Sequence, residues 1–201
     1  MRTSTKGFTL VELLVSIGIF TLITTVAVFN NSSFNGSLVL SNLAYEIGLS
    51  VRQAQFYGIT VKQTSLDQTK FDSGYGIHFD MNDPSTYILF EDRKPPAGSP
   101  DHVYNGSSVA DADIEIFRIS KGNSISNVCV DGNCVNSSVD ITFVRPHPDA
   151  YIRVNGDPLT YHAQANICVI SKQGTKRKVV VESTGQISVG KDNPPPNQVC
   201  D

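Results

Sequence analysis

The stretch from Phe8 to Phe29 constrains this chain more than any other: it is an unbroken apolar run in which Glu12 is the only charged residue. It reaches the roughly 20 residues a helix needs to cross a hydrocarbon core of about 30 Å. A cleaved secretory signal fits poorly, because the apolar region is long, holds a carboxylate, and is not promptly followed by a small-x-small cleavage site. A plain single-pass anchor is the stronger competitor, and Glu12 argues against it. An ionisable group in hydrocarbon costs a few kcal/mol or more and marks a function by default. Glu12 therefore calls for a partner that neutralises it.

At 201 residues the chain has room for this helix and one globular head large enough to bury its own core. The formal net charge is −3, which does not suit a general nucleic-acid binder. Arg2 and Lys6 precede the span and no basic cluster closely follows it, so the N-terminus is expected in the cytoplasm and the head outside. All four cysteines, Cys129, Cys134, Cys168 and Cys200, then lie where disulfides form. Four cysteines permit three connectivities. The Val-Asp-Gly-Asn spacer suggests a Cys129–Cys134 clasp across a tight turn, which leaves Cys168 with Cys200, a closure contributing about 3 to 4 kcal/mol. The spacings match no usual zinc finger.

After the span, Asn30 to Ser37 are poor helix formers, and the helix is expected to break or soften there. Leu40, Leu43, Ala44, Ile47, Val51 and Ala54 then recur at helical spacing, with Glu46, Arg52 and Gln53 outside the stripe. This segment should dock on the head, end at Gly58, and give way to a strand from Ile59 to Lys62. Nine further short strands are expected: 75–80, 86–92, 113–120, 126–130, 139–145, 151–155, 165–171, 178–182 and 186–189. Turn chemistry at Asn82–Ser85 and Lys172–Thr175 favours antiparallel hairpins. Residues 93–112 read as a Pro/Gly/Ser-rich surface loop, and Pro194–Pro196 as an extended tail that Cys200 anchors.

Gly7-Phe8-Thr9-Leu10-Val11-Glu12 resembles the class III signal of type IV prepilins and type II secretion pseudopilins. The resemblance implies that a prepilin peptidase cuts between Gly7 and Phe8 and methylates the Phe8 amine. Removing residues 1–7 would leave 14 basic against 19 acidic residues, a net of −5. Glu12 would pair with the Phe amine of a neighbouring subunit, an opposite charge that compensates a buried one. The segment Leu43 to Val61 is similar to the helix-to-strand junction of the H-type minor pseudopilins and FimT-like minor pilins. Ile141 to Pro146 and the closing hairpin Ile167 to Val189, with Ser183-Thr184-Gly185, also resemble that group. Two departures stand out: His147-Pro148-Asp149-Ala150 replaces a Gly expected soon after the Pro, and Gln186 occupies a place where Arg often follows the Gly.

Little in the head reads as catalytic. His78, His102, His147 and His162 lack metal-ligand spacing, and there is no nucleophile elbow or P-loop. Convergence of His147, Asp149 and His162 is less economical than polar residues in turns. Asp80, Asn82 and Asp83 read as Asx turn caps, since an EF-hand's Gly and terminal Glu are missing. Lys172, Lys176, Arg177 and Lys178 form the only basic cluster. FimT-like pilins of competence systems can bind DNA, but the acidic total favours a solvated hairpin tip.

The expectation is an α+β chain with a type IV pilin-like fold: a leader over 1–7, a span over 8–29, a linker and amphipathic helix half over 30–58, and a β-rich head over 59–201. The resemblance implies a minor pilin or pseudopilin of the inner membrane, later part of a periplasmic or extracellular filament. No enzyme activity, cofactor or metal is expected. The implied partners are other pilin or pseudopilin subunits, prepilin peptidase, the inner-membrane assembly platform and the membrane itself. The alternatives are a DNA-binding pilin of an uptake system and an exported single-pass domain that does not polymerise.

Overall fold

The computed structural model describes residues 7–60, 73–93, 100–107, 111–134, 136–191 and 200, with the side chains of 29–35 outside that description. Among the described residues, one α-helix, α1 (Leu10–Ile59), is followed by nine strands: β1 (Gly74–Asp80), β2 (Thr86–Asp92), β3 (Asp111–Arg118), β4 (Ser124–Val130), β5 (Ser138–Phe143), β6 (Ala150–Val154), β7 (Gln164–Ile170), β8 (Lys176–Glu182) and β9 (Ile187–Lys191). They form a five-stranded sheet in the order β3-β2-β1-β5-β6 and a four-stranded sheet in the order β4-β7-β8-β9. Every pairing is antiparallel. This is an α+β arrangement.

The apolar stripe of α1 explains where the sheets sit. Leu40, Leu43, Ala44, Ile47, Val51 and Ala54 are all buried. They pack on β1 and β5 of the first sheet and on β7, β8 and β9 of the second, so the inner half of the helix is wedged between both. Ile77, Phe79, Ile141 and Phe143 supply the first sheet's core face, and Ile167, Val169, Val179 and Val181 the second's. Polar clamps complete the joint. The buried Gln55 amide donates to the Pro148 and Gly185 carbonyls, both at 2.9 Å, and so ties α1 to the β5–β6 and β8–β9 connections together.

Three expectations need correction. The helix does not break at Asn30–Ser37: its backbone stays α-helical throughout. Poor propensity costs only tenths of a kcal/mol per residue, and a helix already nucleated on both sides propagates through such a stretch. Nor does Gly58 end the helix. α1 continues to Ile59 and is capped at Thr60, so Ile59 is helical, while Val61 and Lys62 lie outside the described residues. Gly58 serves close approach instead, since a Cβ there would lie 2.4 Å from the Phe143 carbonyl oxygen. Finally, the segment read as a surface loop over 93–112 contributes Asp111 and Ala112 to β3, and its residues 100–107 bring Val103 into a buried position.

Candidate functional site

The N-terminal turn of α1 is built by its own sequence. Thr9 is the N-cap: its hydroxyl oxygen accepts from the Glu12 amide at 3.2 Å. In return the Glu12 carboxylate accepts from the Thr9 amide at 3.5 Å and the Thr9 hydroxyl at 3.3 Å. This is a capping box, which satisfies two helix-terminal donors and places negative charge at the positive end of the helix dipole. Thr9 has no role in the sequence reading above, although Thr-x-x-Glu ahead of an apolar run is the signal that finds it.

Beyond this turn, Leu10–Val28 is long and apolar enough to cross a membrane and is not buried by any other part of the described residues. Phe8 and the span's large side chains are exposed. The hydroxyls within it need no water. Ser16 donates to the Glu12 carbonyl at 2.7 Å, and Thr21, Thr24 and Thr25 donate to the Ile17, Phe20 and Thr21 carbonyls. In hydrocarbon that internal satisfaction is obligatory.

The head holds the other candidates apart. Cys129 and Cys134 are bonded with Cα atoms 4.0 Å apart, across a turn in which Asp131 and Gly132 have φ of 49° and 83°. Cys168 of β7 is bonded to Cys200. The basic residues do not make one solvated tip. Lys172 is exposed in the β7–β8 turn, but Lys176 donates to the Cys200 carbonyl, and Arg177 reaches the Ser41 and Ser37 hydroxyls of α1 at 3.2 and 3.3 Å. Strand alternation puts Lys176 and Lys178 on the face opposite Arg177. Asp80 and Asp83 cap their own turn, accepting from Asn82, Ser85 and Thr86. His147 is exposed, while Asp149 and His162 line one open depression and His162 is held by Asp131 at 2.9 Å.

The outer face of the first sheet holds the chemistry that the sequence reading missed. Residues 100–107 lie over it: Asp92 accepts from the His102 amide at 2.9 Å, Asp111 from the Asn105 amide at 2.6 Å, and Asp113 from the Tyr104 hydroxyl at 2.7 Å. His78 bonds Asp140 at 2.6 Å, and the His102 ring stacks on Tyr151 with centroids 4.0 Å apart. Burial raises the Asp92 carboxyl to about 8 and Asp111 to about 6, with further push from Asp101 on both. Burial also raises Asp140 and lowers His102 to about 4, where Arg153 adds to the effect. The available signal was polar and aromatic residues together at non-core positions of strands: His78, Asp140, Thr142, Tyr151 and Arg153. No group of three or more His, Cys, Asp or Glu among the described residues is placed to hold a metal ion.

Compared with known families, residues 2–28 match the prokaryotic N-terminal methylation motif. The match covers the segment before and through the apolar helix, and supports a prepilin-type substrate of the type IV pilin or pseudopilin kind. No curated protein and no solved structure matches the chain.

Proposed function

We propose that this chain is a minor pilin or pseudopilin subunit, closest in kind to the H-type and FimT-like group. The observation that carries this reading is a methylation motif heading an apolar helix that none of the described residues covers, joined to a head with a core of its own. Such a helix needs lipid first and other helices later. In this reading prepilin peptidase hydrolyses the Gly7–Phe8 bond and methylates the new amine of Phe8. The amine carries positive charge at the positive end of the helix dipole, an unfavourable place unless a carboxylate compensates it. Glu12 of an adjacent subunit supplies that compensation. The helix then passes from the inner membrane into the shaft of a filament, while the exported head meets partners.

Two substitutions test the reading. Space around Gly7 is open, with nothing within 4 Å of an added Cβ. Gly7→Val is therefore expected to leave the fold intact and block processing, so that mass spectrometry finds residues 1–7 retained. Trimming to Phe8 in the variant, or no trimming in the wild type, would refute the leader. Glu12→Ala is expected to be processed normally yet fail to enter filaments, measured by crosslinking to neighbouring subunits. Unimpaired incorporation removes the pairing role. The DNA-binding alternative loses ground because Lys176 and Arg177 are engaged within the head.

A further inference from the structure

Where the two sheets meet, an open depression of about 510 Å³ is walled by Asp149, Tyr151, Tyr161, His162, Ser183 and Thr184. The volume falls in the range of small-molecule sites. Its most exposed wall, the β6–β7 connection, is also firmly held. Asp157 accepts from the Leu159 amide and the Thr160 hydroxyl, and Arg153 donates to the Thr160 carbonyl. The Arg153 guanidinium, 1% exposed, sits 4.1 Å from the Tyr161 ring centroid, yet Tyr161 itself is 70% exposed. A rigid ring thus stands in solvent at the edge of a cavity, which lowers the ordering cost of anything that packs on it.

The polar groups define what would fit. No Lys or Arg lines the depression, whereas Asp149 does and Asp131 lies behind His162, so anionic ligands are disfavoured. His162 does not offer a ligand contact: its Nδ1 is engaged by Asp131, and its Nε2 is buried without a partner among the described residues. Three backbone amides here are already committed: Ala150 N donates to Ser183 O, Ser183 N to Ala163 O, and Ala163 N to Asp131. A peptide that docks through main-chain hydrogen bonds would find these donors taken. Recognition falls to an aromatic face, hydroxyls and a carboxylate.

We propose that this depression binds a neutral pyranose ring of a glycan. The apolar face of the sugar packs on Tyr161, ring hydroxyls donate to Asp149, and others exchange hydrogen bonds with Ser183 and Thr184. The proposal is independent of whether the chain polymerises. It is tested on the full chain in a zwitterionic detergent, since sugar-headed detergents would compete. Saturation-transfer NMR would be run against glucose, galactose, mannose, N-acetylglucosamine and their disaccharides, with an oligoproline peptide as the rival ligand. Saturation transfer to at least one saccharide is expected, weakened about tenfold or more in Tyr161→Ala and in Asp149→Asn, with the thermal midpoint of Asp149→Asn unchanged. Leu159→Ala, outside the wall, is expected to bind as wild type. Absence of transfer to every saccharide, equal transfer in both wall variants, or binding of oligoproline alone would overturn the proposal.

Discussion

Gly185→Ala is expected to cost the head about 4 kcal/mol or more of stability, while Gly156→Ala costs about 1. Both glycines have positive φ, 80° and 74°, so the backbone penalty for an alanine is shared. The surroundings differ. Nothing lies within 4 Å of a Cβ on Gly156, but one on Gly185 would be 2.1 Å from the Pro148 carbonyl oxygen and 2.6 Å from Gln55 Nε2. To make room, the β8–β9 turn must leave the β5–β6 connection, and Gln55 must lose both of its acceptors. A buried amide stripped of partners costs about 1–3 kcal/mol. The loosened joint also uncovers the seam where α1 lies between the sheets. Denaturant unfolding of the two variants reads the difference directly, and equal losses would show that the contact contributes nothing.

Raising the pH from 6 to 8.5 is expected to destabilise the head, with Asp92 contributing to the loss and Asp140, also raised by burial, acting in the same sense. The folded-state Asp92 carboxyl titrates near 8, against an unfolded value near 4. Across that window the folded chain holds a proton that the unfolded chain has released, so stability falls as pH rises. Asp111, raised to about 6, adds to the fall up to that pH. His102 works in the opposite sense: lowered to about 4, it favours the fold as pH rises from 4 towards 6.5. Above 6.5 Asp92 acts with no opposition from His102. Asp92→Asn keeps an oxygen to accept from the His102 amide and removes the titration. The variant should therefore melt higher than wild type at pH 8.5, with a flatter profile between 6 and 8.5. Parallel profiles for the two proteins would assign the pH dependence elsewhere.

Local rules made some of this structure legible. Period two located the strands, because residues such as Ile77, Phe79, Ile141 and Phe143 must face one way to meet the helix. Period 3.6 located the buried stripe of α1. The Asp-Gly pair between Cys129 and Cys134 foretold a turn that needs positive φ, and both residues have it. Other features depend on contacts far apart in sequence. Asn30 to Ser37 look like a break until the ordered helix on either side is considered. Arg177 looks like a surface cation until Ser37 and Ser41 of a distant helix meet it. Residues 93–112 look like a surface loop until 100–107 fold across the outer face of the first sheet and turn ordinary carboxylates into buried acids. Thr9 was legible from sequence spacing alone, because Thr-x-x-Glu ahead of an apolar run forms a capping box.

The continuity of α1 also has a geometric consequence. Fifty residues at 1.5 Å each make a rod of about 75 Å with no joint between its lipid end and the core of the head. Spans commonly tilt by about 20° from the bilayer normal, and on a rod of this length that tilt carries the far end sideways by about 25 Å. Lateral position of the head is thus an amplified readout of span orientation. Small changes in how the apolar segment leans against its neighbours become large changes in what the head can reach.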